Sequence, residues 1–213
     1  MRDIPIFSTQ LGVASLTLSQ IPYTKTAYIR IQDTASPEEF LQECVGFCKA
    51  VDAERIMATG NPVCEAYSLY THIYQMQAEM NRIGDTDAAL FPVTENTLEA
   101  WREVYNEKAS RIPTGVWMTS RQAREHMEND GAYFVHRKGT LMGTGLIGDN
   151  TIKWVCAVQP GGGEDAVRAL CHAIPCDTVT LSVASANTKA MALYERLGFV
   201  RTKCLDSWYE INF

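Results

Sequence analysis

The feature that most constrains the fold is a strand followed at once by a helix whose two ends are both marked in the sequence. The segment 178–183 reads TVTLSV, and the helix follows in SANTKAMALYERLGF at 185–199. Asn187 has a side chain suited to accept hydrogen bonds from the first helical N–H groups. Gly198 suits the left-handed conformation in which many helices end. The pattern therefore predicts a β-strand and an α-helix joined by a short loop, as in α/β proteins.

One face of this helix is apolar. The stripe consists of Ala190, Leu193, Tyr194 and Leu197, which recur at helical spacing and predict packing against a sheet. Phe199 follows the terminal glycine and can fold back over Tyr194. Tyr194 also places a hydroxyl on the buried face, where it requires a hydrogen-bond partner. Efficient helix formation explains the cap, the stripe and the end, but it does not explain the buried phenol.

The order of elements along the chain predicts a mixed sheet. From residue 90 onward, the periodicity predicts β-α-α-β-β-β-α-β-α-β. Meandering strands followed by a β-α-β crossover favour an α/β fold with helices on both faces. Residues 1–84 echo part of this order, and we interpret them as a partial repeat, with an unrelated appendage as the alternative. The polar segment 81–88 separates the two, so the predicted domains are 1–84 and 88–213.

Composition limits the partners of the chain. The net charge is −6 and the isoelectric point is about 5.3, and no cluster of Lys and Arg is present, so we expect no nucleic-acid partner. No run of about 18 apolar residues predicts a membrane span, and the first residues lack the layout of a signal peptide. We therefore expect a cytoplasmic protein without a membrane partner. The seven cysteines predict reduced, buried thiols, and we expect no metal site because no paired C-x-x-C spacing occurs.

The pattern N-x-x-A-x-x-x-Y-x-x-L-G-F at 187–199, preceded by LSV and followed by a strand, carries a family resemblance. It resembles the C-terminal signature of the GNAT (Gcn5-related N-acetyltransferase) superfamily, and the element order over 90–213 is similar to that fold. The resemblance implies a GNAT-like acyl-CoA N-acyltransferase fold with an N-terminal partial repeat. It also implies an enzyme that transfers an acetyl group from acetyl-CoA to a primary amine by direct attack in a ternary complex.

The resemblance implies roles for individual residues. The pantetheine arm of acetyl-CoA would lie where the strand ending at Val158 splays from the next strand. Asn187 would help fix that arm, and Tyr194 would be the catalytic acid that protonates the leaving thiolate. A covalent route through Cys156 is disfavoured, because burial raises the pKa of a thiol. The implied cofactor-binding residues are Cys156, Ala157, Val158, Gly161, Gly162, Gly163 and Asn187.

The loop that would bind the pyrophosphate departs from the family pattern. It reads GGGEDA at 161–166, without the usual Arg or Gln. Its three glycines can present backbone N–H groups to an anion at a helix start. Glu164 and Asp165, however, occupy the first helical turn, where we expect them to repel a pyrophosphate. A tight turn followed by helix acids is the alternative interpretation. The alternative function is accordingly a non-catalytic acyl-CoA-binding or interaction module.

The sequence does not identify the general base or the acceptor. The strand TIKWVCAV carries no carboxylate where many relatives place one, and Glu95, Asp206 and Glu210 are the remaining candidates. We expect the acceptor to be a small-molecule or peptide amine, and Arg121 or Arg124 could meet an acidic one. The oligomeric state is left open, with a homodimer as one option.

Overall fold

The computed structural model describes residues 3–112 and 115–212. The strands are β1 (Ile4–Ser8), β2 (Gly12–Thr17), β3 (Thr26–Thr34), β4 (Arg55–Thr59), β5 (Ser68–Glu79), β6 (Ala89–Pro92), β7 (Gly131–Arg137), β8 (Thr140–Gly148), β9 (Thr151–Ala157), β10 (Thr178–Ala184) and β11 (Val200–Glu210). The α-helices are α1 (Ile21–Thr24), α2 (Pro37–Ala50), α3 (Leu98–Ala109), α4 (Ser120–Asn129), α5 (Gly162–His172) and α6 (Thr188–Arg196). Among these described helices, none has the length and hydropathy needed to cross a membrane.

The chain forms two compact units. Unit 1 comprises Met1–Ile73 and Cys204–Phe213, and unit 2 comprises Tyr74–Lys203. Strands β5 and β11 each contribute residues to both units. The domain boundaries expected from the sequence, 1–84 and 88–213, stay a prediction.

Unit 1 is built on a five-strand order, β1-β2-β3-β4-β11. Its first three strands pair antiparallel, β3 pairs with β4 in parallel, and β4 pairs antiparallel with β11. The parallel pair is aligned from Thr26 opposite Arg55 to Arg30 opposite Thr59, along the whole length of β4. Helix α2 connects these two strands, and its Phe40 and Leu41 are buried in the core of the unit. Strand β3, helix α2 and strand β4 thus form a strand–helix–strand segment with parallel strands.

Unit 2 contains the predicted meander and crossover. Strands β6, β7, β8 and β9 pair antiparallel in succession, and β10 then pairs with β9 in parallel through the crossover helix α5. On its other side β10 neighbours β5. The order of helices and strands from residue 89 to 210 confirms the α/β fold class predicted from the sequence.

Alternate residues of β9 pack into different clusters of side chains. Trp154 packs with buried residues of α3 and α4, including Trp101 and Ala123. Val155 packs in a second cluster with residues of α5 and α6, including Leu170. Because successive side chains of a strand point to opposite faces, the two helix pairs cover opposite faces of this part of the sheet.

Helix α6 has the ends predicted for it. The Asn187 Oδ1 atom accepts a hydrogen bond from the Ala190 N–H at 3.3 Å. At the other end Gly198 adopts a φ of +92°, in the left-handed region that favours glycine. Tyr194 is buried on the face that packs in the cluster with α5. The helix therefore starts and stops where its sequence directs.

Candidate functional site

The two parallel strands of unit 2 separate part of the way along their length. The pairing of β9 with β10 covers Thr151 opposite Thr180 and Ile152 opposite Leu181, and the described register ends there. Val155–Ala157 and Val183–Ala184 lie beyond that point. Backbone groups of β9 beyond Ile152 and of β10 beyond Leu181 are therefore not paired with each other. They can form hydrogen bonds with a ligand that enters between the two strands. The splay implied by the family resemblance is present in the backbone.

Two cavities adjoin this splay. The first, here the α3 cavity, has a volume of about 240 Å³ and is lined by Tyr105, Val116, Trp154 and Leu181 among others. The second, here the α6 cavity, has a volume of about 300 Å³. Its lining includes Cys156, Ala157, Gly163, Lys189 and Leu193. Four residues line both cavities, namely Ile112, Val155, Asn187 and Tyr194. Both cavities thus adjoin the splay, and Tyr194 is common to them.

Tyr194 is a buried phenol in contact with both cavities. Tyr194 belongs to α6, and its side chain packs in a cluster with residues of α5 such as Leu170. The residue is only 8% exposed. Burial, with smaller effects of the Cys156 and Cys171 thiols, raises the pKa of Tyr194 to about 12. The hydroxyl makes no hydrogen bond with the described residues. This group is therefore available to donate to a ligand in either cavity, and it stays protonated near neutral pH.

Cys156 lines the α6 cavity without the properties of a nucleophile. Its sulfur lies 3.2 Å from the Thr144 hydroxyl oxygen, and the residue is 8% exposed. Burial raises the pKa of the Cys156 thiol, and the hydrogen bond from Thr144 opposes this only in part. Because the thiolate is the reactive form of cysteine, this environment opposes a covalent route.

The glycine loop contributes to the site in part. Gly161 is the residue before α5 and has a φ of +80°. The Gly162 N–H donates to the Gln159 carbonyl at 3.0 Å, and the Val158 N–H donates to the Met142 carbonyl at 2.8 Å. Seven residues were implied to bind the cofactor. Four of them line the α6 cavity, namely Cys156, Ala157, Gly163 and Asn187. Val158, Gly161 and Gly162 lie outside the described cavity linings.

The two acids at the start of α5 are paired with arginines. Glu164 accepts a hydrogen bond from Arg168 at 2.8 Å and lies 3.3 Å from Arg196. The hydrogen bond from Arg168 is the largest cause that lowers the pKa of Glu164. Asp165, which is 9% exposed, lies 2.8 Å from Arg137. The repulsion of an anion expected from these carboxylates is thus offset by three guanidinium groups.

The three carboxylates considered as bases are also ion-paired. Glu95 lies 2.6 Å from Arg124 in unit 2. Asp206 makes two bonds with Arg30, of 2.8 and 2.7 Å, and Glu210 lies 2.9 Å from Arg55, both within unit 1. None of the three is among the described residues that line the two cavities of unit 2. The structure thus places each of them beside an arginine.

Sequence reasoning missed most of the residues that α3 and its following turn bring to the cavities. Tyr105 lines the α3 cavity, its ring centroid lies 4.3 Å from that of Trp154, and burial raises its pKa to about 12. Lys108 and Arg111 line the α6 cavity. The sequence pattern could have indicated Tyr105, because it lies on the apolar stripe of α3. No pattern indicates Lys108 and Arg111, because only the tertiary packing of α3 brings them to the α6 cavity.

Comparisons with known proteins place the fold. No protein-family model and no curated protein match the chain. A GCN5-related N-acetyltransferase from Anabaena variabilis aligns with a TM-score of 0.62 at 12% identity, covering 87% of this chain and 54% of that one. Another from Sphaerobacter thermophilus aligns with a TM-score of 0.55 at 12% identity, covering 93% of this chain and 75% of that one.

A third solved structure is also similar to the chain. It is a tandem GNAT protein from the clavulanic acid biosynthesis pathway, with a TM-score of 0.51 at 14% identity, and the match covers 94% of this chain and 78% of that one. At such identities the likeness concerns the fold and not the activity. Together with the splayed β9–β10 pair and the capped helix α6, these alignments show that the chain has the fold of the GCN5-related N-acetyltransferases.

Proposed function

We propose that the chain is an N-acetyltransferase that moves an acetyl group from acetyl-CoA to a primary amine within a ternary complex. The observation that carries the proposal is the splay between β9 and β10, which two cavities adjoin, with Tyr194 lining both of them. A thioester held in the splay would reach the phenol from the α6 cavity, and an amine would reach the thioester from the α3 cavity.

The chain's own residues would act in two steps. Free backbone groups beyond Ile152 and Leu181 would hold the pantetheine arm, with Asn187 beside it. As the amine nitrogen bonds to the thioester carbon and the carbon–sulfur bond breaks, Tyr194 would donate its proton to the leaving thiolate. A phenol with its pKa raised to about 12 is fully protonated at neutral pH, as a general acid must be.

The proton of the attacking amine would leave through water. Among the described residues that line the two cavities there is no carboxylate. The amine would therefore react from its neutral fraction, which increases as the pH rises toward the pKa of the amine. The rate at subsaturating amine would rise with pH accordingly.

One observation favours a second candidate function. The same lack of a carboxylate at the described cavity walls suits a module that binds acyl-CoA without transferring its acyl group. Such a module would bind acetyl-CoA but release no free CoA thiol in the presence of amines.

Isothermal titration with acetyl-CoA, followed by a thiol-release assay on a panel of amines, tests the proposal. We expect micromolar binding and amine-dependent release of CoA. Tyr194→Phe should keep the affinity but lower kcat by about 10² to 10⁴, the usual contribution of a general acid. Tyr105→Phe is the matched control, because Tyr105 is a partly buried phenol that lines the α3 cavity, and it should lower kcat much less. Binding without release would favour the second candidate, and absence of binding would refute both.

A further inference from the structure

Three cationic side chains line the α6 cavity. Lys108 lies deepest, with 21% of its side chain exposed, whereas 70% of the Arg111 side chain is exposed at the rim. Lys189 is exposed at the start of α6. Glu107 is the acid paired with this group, at 3.3 Å from Lys108 and 3.2 Å from Arg111, and it is itself half-exposed. The rim of this cavity therefore carries a net positive charge.

The start of α5 has a different electrostatic character. Its three arginines are each already bound to a carboxylate of the first helical turn, Arg168 and Arg196 to Glu164 and Arg137 to Asp165. A pyrophosphate bound there would have to compete with these carboxylates for the guanidinium groups. An anion at the α6 cavity rim would meet Lys189, for which the described residues supply no ion-pair partner, and Arg111, whose partner is a half-exposed glutamate.

We propose that Arg111 and Lys189 hold the phosphate groups of the acyl-CoA at the rim of the α6 cavity, in place of the helix start of α5. The proposal rests on the proposed function, because it assumes that the thioester end of the same ligand reaches Tyr194. The arrangement of residues along the cavity matches the two ends of such a ligand. Tyr194 and Cys156 lie at the buried end, where the thioester would bind, and the two cations lie at the exposed end, where the phosphates would bind. Guanidinium and ammonium groups bind phosphate oxygens through charge-assisted hydrogen bonds.

The test compares two ligands on three forms of the full chain. The ligands are acetyl-CoA and S-acetylpantetheine, which carries the thioester but no phosphate. The proteins are the wild type, R111Q/K189Q, and the matched variant E164Q/R168Q/R196Q, which removes Glu164 and both of its arginine partners at the start of α5. Dissociation constants are measured by isothermal titration at two salt concentrations, and thermal melting confirms that each variant folds.

We expect R111Q/K189Q to weaken acetyl-CoA binding by about tenfold or more, since two charge-assisted contacts are lost. Its affinity for S-acetylpantetheine should be unchanged, and the salt dependence of acetyl-CoA binding should decrease. The matched variant should stay within about twofold of the wild type for both ligands.

Three results would overturn the inference while leaving the proposed function intact. They are a larger loss of acetyl-CoA affinity in the α5 variant, an equal loss for both ligands in R111Q/K189Q, and a wild type that binds the two ligands equally well. If the wild type bound neither ligand, the proposed function itself would fail, and this inference with it.

Discussion

The ring of Phe199 packs against the ring of Tyr194, with their centroids 5.8 Å apart, and the Phe199 N–H donates to the Tyr194 carbonyl at 2.9 Å. Gly198 lies between them in the sequence and reverses the chain with its positive φ. The contact closes the last turn of α6 over the phenol and keeps the ring out of water. Phe199 thereby contributes to the burial that raises the pKa of Tyr194.

This burial predicts a loss of stability at alkaline pH. The pKa of Tyr194 rises from its ordinary value of 10.0 to about 12 because the ionised form is desolvated. The folded chain thus holds the phenolic proton more tightly than the unfolded chain. The stability linked to this proton is complete below about pH 10 and is lost as the pH rises through about 12. Circular dichroism against pH should show base-induced unfolding shifted to higher pH in Tyr194→Phe.

Coincident transitions in wild type and Tyr194→Phe would contradict the prediction.

A second prediction separates the structural and ligand-binding roles of Asn187. Asn187 caps α6, and Asn61 caps a short 3₁₀ turn at Pro62–Ala66 in unit 1, where its side chain accepts from the Val63 N–H at 3.0 Å. Alanine at either position should cost about 1 kcal/mol of stability, as loss of an N-cap usually does. Because Asn187 also lines both cavities, only Asn187→Ala should weaken acetyl-CoA binding.

Chemical denaturation and isothermal titration of the two variants give the two readouts. Equal affinity of Asn187→Ala and Asn61→Ala for acetyl-CoA would assign Asn187 a purely structural role.

The prediction of the fold from sequence succeeded where local signals agree with tertiary packing. The segment 178–199 predicted a strand, a helix capped by Asn187, an apolar stripe along that helix and a helix end at Gly198. The structure has all four features. Strand β1 was not predicted, because its sequence IPIFS is short and contains a proline. It also lies at the end of the strand order, where side chains such as Ile6 are exposed. An edge strand of this kind lacks the buried alternation that marks a strand in sequence.

The electrostatics of the candidate site could not be predicted in the same way. Glu164 and Asp165 are visible in the sequence as acids near an anion-binding loop. Their partners Arg137 and Arg196 lie 28 and 32 residues from them along the chain, and only the fold brings them together. Such pairs leave no periodic pattern. The repulsion expected from the acids was therefore an argument from local sequence alone.

A third prediction concerns two glycines with opposite environments. Gly46 is exposed within α2, and a Cβ added there meets no atom within 4 Å. Gly46→Ala should stabilise the chain by about 0.5–1 kcal/mol, because alanine loses less conformational freedom in a helix. At Gly162 an added Cβ would collide with the backbone carbonyl oxygen of Met142. Gly162→Ala should destabilise by about 1–3 kcal/mol, as overpacking does.

Thermal melting of the two alanine variants measures these opposite shifts. A stabilised Gly162→Ala would show that the start of α5 is free to move away from β8.

The last prediction concerns the stoichiometry of acetyl-CoA binding. Unit 1 contains a parallel strand pair joined by a helix, as unit 2 does, but β3 and β4 stay aligned through Arg30 opposite Thr59. In unit 2 the corresponding pair separates after Ile152 opposite Leu181. A closed ladder satisfies the backbone groups that an inserted pantetheine arm would require. We therefore expect one acetyl-CoA per chain, bound in unit 2. Isothermal titration should give a stoichiometry of about one, and this binding should weaken in Asn187→Ala but not in Asn61→Ala. A second equivalent of similar affinity would mean that the ladder of unit 1 opens for the ligand.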